Sequence, residues 1–391
     1  MWKNIASSFL TLAIVLLIGV AAAVAWARAQ YHGPGPSAVA QCVQVARGAS
    51  LTAVSKRLQE QGAISSAYIF RTGADQAGKS RDLKFGSYLV APRASMEDIV
   101  GAITSGGPST CGTEVIYRVG VRADTVVLRD INPDTGVYEE RAKYDPANED
   151  APPVILAAEE QPDARLRIAV AEGVTSWQIV EGLKRASFLT GDIGAVPAEG
   201  TLAPDSYDVS KGADRGELLA LMGARQTAIL NAAWENRDFG LPYATPEEAL
   251  IMASIVEKET GVADERRIVA SVFVNRLEQG MRLQTDPTVI YGVTEGRSVL
   301  DRGLRQSELD RRTDWNTYQI DGLPRTPIAN PGRASIEAAL RPENTDFIFF
   351  VADGTGGHQF SRTLQEHNAA VARWREIEAQ QQQQQQTGSG G

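Results

Sequence analysis

Hydrophobic and polar positions divide the chain into three kinds of stretch. From Phe9 to Ala27 nineteen residues carry no charge and are rich in Leu, Ile, Val and Ala, close to the roughly 20 needed to span a bilayer as a helix. Two readings fit this run, an uncleaved anchor or a signal peptide processed near Ala23–Ala27. Both export the rest of the chain. After a Pro/Gly linker, HGPGP at His32–Pro36, short alternating and helical patterns succeed one another to Gly107. Val43-Gln44-Val45 alternates, Gly48 turns the chain, and Ser50 caps a helix with Leu51, Val54 and Leu58 on one face. A short helix near Ala67–Thr72 leads to a strand, Leu83–Val90, kinked at Gly86, and Ser95 caps a helix through Ile99 and Ile103. The stretch VARGASLTAVSKRL at Val45–Leu58 aligns without a gap on VAEGVTSWQIVEGL at Val170–Leu183. That pattern fits a repeated strand–turn–helix unit or a chance match.

The third kind of stretch is longer-ranged. A helix is expected through Leu218, Leu221 and Ile229. Another is expected over Pro246–Thr260, with Thr245 as N-cap, Pro246 at the first helical position and Glu248 completing a capping box. A third runs Asp264–Gln279 with Gly280 at its stop, so the short turn Gly261-Val262-Ala263 makes the last two a helical hairpin. At about 100° per residue, Glu259 falls roughly 40° from Ile255, inside the stripe of Ile251, Met252 and Val256. Glu257 falls at about 200°, on the opposite, solvent side. A carboxyl on the buried face is penalised when ionised, which suits a general acid. The plain alternative is that Glu259 ends the helix and pairs with an arginine.

Composition narrows the function classes. A net charge of −9 over 391 residues, without a long basic run, argues against nucleic-acid binding, which draws on phosphate neutralisation. The three histidines, His32, His358 and His367, lack metal-ligand spacing, and GTGG at 354–357 is a turn and no phosphate loop; neither metal nor cofactor is expected. His358 is expected to serve that loop or a core hydrogen bond. The two cysteines, Cys42 and Cys111, flank the first module and form either a disulfide or two separate buried thiols. Residues 112–165 begin strand-like at Glu114–Val119 and then read as loop through Asn132-Pro133-Asp134-Thr135-Gly136, an insertion or connector. The tail from Gln380 is low-complexity and expected to be disordered.

The motifs MASIVEKETG, SVFVNRL, MRLQTDPTVIYG, NTY, GLP, PIANPG and FVADGTGGHQF, in this order, resemble the endolytic murein transglycosylase (YceG-like) family, strongly over residues 165–375. The 41–107 module with GSYLVAP is similar to that family's LysM-like part. The resemblance implies an α+β protein: a cytoplasmic N-terminus 1–8, a transmembrane anchor 9–27, a linker 28–40, a LysM-like module 41–110, an insertion 111–165, a catalytic domain 166–376 and a polar tail 377–391. It implies Glu259 as the catalytic acid/base for non-hydrolytic cleavage of peptidoglycan at the inner membrane. The partners it implies are nascent glycan strands and the cell-wall synthesis machinery. Gln284, Thr285, Asp286, Asn316 and Tyr318 are candidates for substrate contact, because amides and hydroxyls beside a tyrosine suit sugar hydroxyls. A glycoside hydrolase with Asp286 as second carboxylate, and a glycan-binding scaffold with Glu259 structural, are the competing readings. Pro-Arg-Thr at 324–326 departs from the family, which often has a second Pro and a Gly there, and leaves that loop's shape open.

Overall fold

A computed structural model describes residues 2–106, 109–132, 135 and 137–388; Pro133, Asp134 and Gly136 of the expected loop, and the last three residues of the tail, lie outside them. The protein is mixed α and β and divides into two units, one of residues 1–116, 126–144 and 150–167, the other of 117–125, 145–149 and 168–391.

The first unit begins with α1 (Trp2–His32), whose stretch Leu10–His32 is long and apolar enough to cross a membrane, with mean hydropathy 2.5 over an 18-residue window. The helix outlasts the expected anchor. Residues 28–32 are helical where a linker was expected, because Tyr31 is buried in the module's apolar core beside Ile69 and Phe70. Next come β1 (Gln41–Val45), α2 (Leu51–Glu60), α3 (Ala67–Gln76), β2 (Gly86–Val90) and α4 (Met96–Ser105). Strands β1 and β2 pair antiparallel, Gln41 opposite Val90 and Val45 opposite Gly86. Ser50 caps α2 by accepting the Ala53 N–H, and Ser95 with Asp98 forms a full capping box on α4. Val54, Leu58, Phe70, Ile99 and Ile103 close the core. Cys42 and Cys111 are joined as a disulfide across 69 residues, which decides between the two states open to them.

The supposed insertion is largely sheet. It holds β3 (Glu114–Val119), β4 (Thr125–Ile131), β5 (Tyr138–Tyr144), α5 (Pro153–Glu159) and the start of β6 (Arg165–Val170). Strand β5, YEERAKY, hides from a hydrophobicity reading because it lies at the sheet edge, where charge blunts unwanted pairing. It pairs antiparallel with β4 across a bulge at Leu128/Arg129. Glu114, fully buried, gathers Arg129, Arg165 and Arg167 around it.

The chain continues with α6 (Ser176–Arg185), β7 (Leu189–Thr190), β8 (Ser206–Val209), β9 (Ala213–Asp214), α7 (Arg215–Glu235), α8 (Pro246–Glu259), a 3-10 turn at Ala263–Glu265, α9 (Arg266–Glu278), α10 (Asp286–Thr294), α11 (Gln306–Asp310), α12 (Arg333–Leu340), β10 (Phe349–Ala352), β11 (His358–Ser361) and α13 (Leu364–Gly388). The five-stranded sheet has the order β5-β4-β3-β6-β8, and β10 pairs antiparallel with β11. On α7 Leu218 and Ile229 are buried, but Leu221 faces solvent. Helix α13 runs on through the polar tail to Gly388.

The core of the second unit forms around α8. Ala249, Met252, Ala253, Ile255 and Val256 are buried against Val269 and Phe273 of α9 and Ile336 and Ala339 of α12. Thr245 caps α8 by accepting the Glu248 N–H, while the Glu248 carboxylate takes the Ala244 N–H at 2.6 Å. The reciprocal half of the expected capping box thus reaches one residue further back.

Candidate active site

Helix α8 ends at Glu259, with Thr260 at its C-cap. The last turn of a helix is its negative end, so a carboxylate there is already disfavoured. Desolvation is the largest influence on the Glu259 carboxyl and pushes its pKa up; the Asp286 charge pushes the same way, while the Thr285 hydroxyl, His358 and Arg276 pull it down. The net effect is a carboxyl that holds its proton above the usual range.

The partners come from three segments. Thr285 Oγ1 donates to Glu259 Oε1. Thr285 is itself fixed, because its N–H donates to Thr317 Oγ1 at 3.1 Å, and Thr317 and Thr288 hydroxyls meet at 2.8 Å. These three buried threonines form a floor of hydroxyls beneath the carboxyl. Gln284 is exposed, holds a left-handed backbone (φ 49°) and donates its N–H to the Thr317 carbonyl at 3.2 Å. Asp286 is exposed at the first turn of α10 and accepts from Tyr318 Oη at 2.8 Å. Burial raises the tyrosine's pKa most, then that hydrogen bond.

Asn316 behaves differently from the other candidates. It is buried; its Nδ2 donates to the carbonyls of Glu308, Leu309 and Arg311, and its Oδ1 accepts the Tyr318 N–H at 3.0 Å. Its polar atoms are committed to shaping the loop that presents Tyr318. Amides in loops serve this role as often as any other, and sequence alone does not separate the two.

Three functional neighbours escaped the sequence reading. Arg276, buried on α9, donates from Nε to the Ile348 carbonyl at 2.7 Å and from Nη1 to the Leu283 carbonyl at 2.5 Å. It brings a fixed positive charge to the Glu259 environment. Thr288 and Thr317 were visible only as members of DPT and NTY. Their signal would have been the cluster of hydroxyls at consecutive motif positions.

Glu257 is not adrift in solvent as its helical angle suggested. It is half-buried, and its Oε2 accepts the N–H of Gly332 at the start of α12 at 3.0 Å, tying α8 to the positive end of a second helix. Lys258, between the two glutamates, donates to the Gly173 carbonyl at 3.2 Å, and burial lowers its pKa. The loop at 324–326 takes its shape from the residues that depart from the family. Thr326 Oγ1 accepts from the Trp315 indole at 2.9 Å, and Arg325 pairs with Asp314 at 3.1 Å.

Known proteins share much of this sequence. A family model described as YceG-like matches residues 43–373. A Bacillus subtilis (strain 168) protein named endolytic murein transglycosylase is 44% identical over 125 residues, which cover 32% of this chain and 34% of that one. A Streptococcus pneumoniae serotype 2 (strain D39) protein of the same name is 26% identical over 335 residues, 84% of this chain and 57% of that one. The chain thus spans about a third and somewhat over half of the lengths of these two relatives. A crystal structure of a yceG-like protein from Listeria monocytogenes aligns with a TM-score of 0.44 and 26% identity, covering 85% of this chain and 99% of that one.

Proposed function

We propose, from the premise that this chain belongs to the YceG-like family, that it is an endolytic lytic transglycosylase cutting the MurNAc–GlcNAc β-1,4 bond of nascent peptidoglycan. The observation that carries the reading is Glu259: a desolvated carboxyl at a helix C-terminus, bonded to the Thr285 hydroxyl and pushed above its ordinary pKa. The upward shift favours the protonated form, which a general acid needs at the start. The carboxyl gives its proton to the glycosidic oxygen as the C1–O bond breaks and GlcNAc leaves. The resulting carboxylate then takes the proton of the C6 hydroxyl of the same MurNAc, whose oxygen closes on C1 as a 1,6-anhydro end. One carboxyl serves both transfers, where hydrolases in most families employ two. Arg276 favours the intermediate carboxylate, while Asp286 favours the protonated form at the start. Gln284, Asp286 and Tyr318 are exposed enough to meet sugar hydroxyls and N-acetyl groups, with Thr285 beneath them.

On this reading α1 anchors the chain in the inner membrane and the rest faces outward, where the disulfide persists. The β1–α2–α3–β2 module acts as the LysM-like glycan holder. Cleavage of growing strands limits their length beside the machinery that synthesises them.

The test is mass analysis of products from peptidoglycan incubated with wild type and with Glu259→Gln. Fragments with 1,6-anhydroMurNAc ends should appear with wild type and fall by at least about a hundredfold in the variant. Reducing ends would replace this reading by hydrolysis, with Asp286 handling water. Binding without cleavage by folded wild type would reduce the protein to a glycan-binding scaffold. Activity should also decline as pH rises through the elevated pKa of Glu259, since the first step requires the protonated form.

A further inference from the structure

The turn after Glu259 is held by one more carboxylate. Glu265, six residues on in the 3-10 turn, accepts twice from a single residue of β11: the His358 backbone N–H donates to Oε1 at 2.8 Å, and His358 Nδ1 meets Oε2 at 2.7 Å. Both side chains are largely sheltered, 17% exposed each. The imidazole also stands edge-on to Phe350 of β10, ring centres 5.3 Å apart. Gly357, next in line, leaves no room for a side chain, because a Cβ there would lie 2.6 Å from Glu265 Oε1. Two bonds from one carboxylate to the backbone and ring of one histidine fix the ring's orientation. They leave Nε2 with no hydrogen-bond partner among the described residues. The same hairpin is tied to α9 a second time, since Arg276 bonds the Ile348 carbonyl and its guanidinium lies over Phe349, 5.5 Å from the ring centre.

We propose that the Glu265–His358 pair is a positioning device for Glu259: it pins the β10–β11 hairpin to the turn behind the catalytic carboxyl and so fixes where the His358 ring stands relative to that carboxyl. The proposal rests on the lytic reading, in which Glu259 must pass through a carboxylate between its two proton transfers. A carboxylate in a desolvated site needs compensating charge. The groups facing Glu259 are Thr285 and Asp286 from α10, Tyr318 from the loop before α12, Arg276 from α9 and His358 from β11. Of these the Thr285 hydroxyl favours the ionised form through its hydrogen bond, and Arg276 and His358 favour it through charge. His358 is in turn faced by Glu265 and Glu259, with the Asp353 carboxyl beside Gly357. His358 acts through Glu259 and forms no bond to the sugar.

The test uses the full chain in detergent, with the side-chain carboxyl carbons of glutamate labelled and the Glu259 signal identified by its loss in Glu259→Gln. In His358→Gln the Glu259 titration should move up by about one pH unit. The falling limb of the kcat profile should move with it, with the plateau lowered roughly tenfold and KM unchanged. Glu265→Gln, which keeps one acceptor oxygen for the His358 backbone N–H and the size of the side chain, should move the titration in the same direction by less. A Glu259 titration identical to wild type in both folded variants would overturn the proposal, whatever the activity. The direct titration also separates the two ideas: wild type that makes no anhydro ends sinks the lytic reading, while the titration still decides whether the pair acts on Glu259.

Discussion

Two turns of this protein have nearly the same local sequence and structure and very different surroundings. After β1, Gly48 (φ 71°) leads through Ser50 into α2; after β6, Gly173 (φ 77°) leads through Thr175 into α6. Each cap residue accepts the N–H three residues on, and each helix buries two matched apolar positions, Val54 and Leu58 against Ile179 and Leu183. At Gly48 the space where a Cβ would stand is empty, whereas at Gly173 Glu257 and Lys258 lie 3.6 Å away. The second turn is also gripped on every side. Lys258 bonds the Gly173 carbonyl, Asn330 bonds Val174 and Ser176, and Thr175 donates to the Gly296 carbonyl at 2.6 Å. Local sequence specifies the motif, and tertiary contacts decide whether it is a free module or part of the wall behind α8.

The largest difference between the two copies should come from cutting the first one's covalent tie. Replacing Cys42 and Cys111 by alanine opens a 69-residue span. It should cost about 4 kcal/mol in the chain-entropy account, read as lost hydrogen-exchange protection in α2 and α3. For the second copy the comparable blow is Asn330→Ala, which orphans the Leu202 N–H in a buried site and takes the amide donor from Ser176 Oγ, while the Val174 carbonyl keeps the backbone N–H of residue 330. About 3 kcal/mol is expected, measured by urea unfolding followed through tryptophan fluorescence. The caps sharpen the contrast. Ser50→Ala should cost about 1 kcal/mol and Thr175→Ala about 2, because only the threonine also holds a distant carbonyl. Equal losses would mean that the two turns are energetically alike.

The smallest effect is in pH. Glu199 accepts the Ser176 N–H at the start of α6, and burial raises its pKa. A carboxyl with a raised folded pKa contributes stability below its unfolded value and loses it as pH rises through the folded one. The urea midpoint of the second unit should therefore fall as pH climbs above the ordinary carboxylate range, and Glu199→Gln should flatten that slope. No such dependence is expected from the first turn, where Ser50 has no acidic counterpart.

Much of the framework around Glu259 was legible because its signals are local. Thr245-Pro246 marks the start of α8, Gly280 with φ 66° closes the segment after α9, and a single helical projection separates Glu259 from Glu257. What escaped depends on partners distant in sequence. Glu257 is drawn out of solvent by an N–H 75 residues away, and His358 is oriented by a carboxylate 93 residues earlier. Asn316 read as a ligand for sugar because its three carbonyl acceptors come from backbone, which leaves no trace in residue type. Strand β5 read as loop because an edge strand needs little apolar surface.

Gln284 shows where selection for toughness and selection for turnover part company. Its left-handed backbone (φ 49°) costs an ordinary residue roughly 1 kcal/mol that glycine would not incur. A screen that rewarded heat resistance alone would therefore drift toward glycine at this position and remove an exposed amide next in sequence to Thr285, which bonds Glu259. Survivors of such a screen would melt later and, on the proposed reading, cut more slowly.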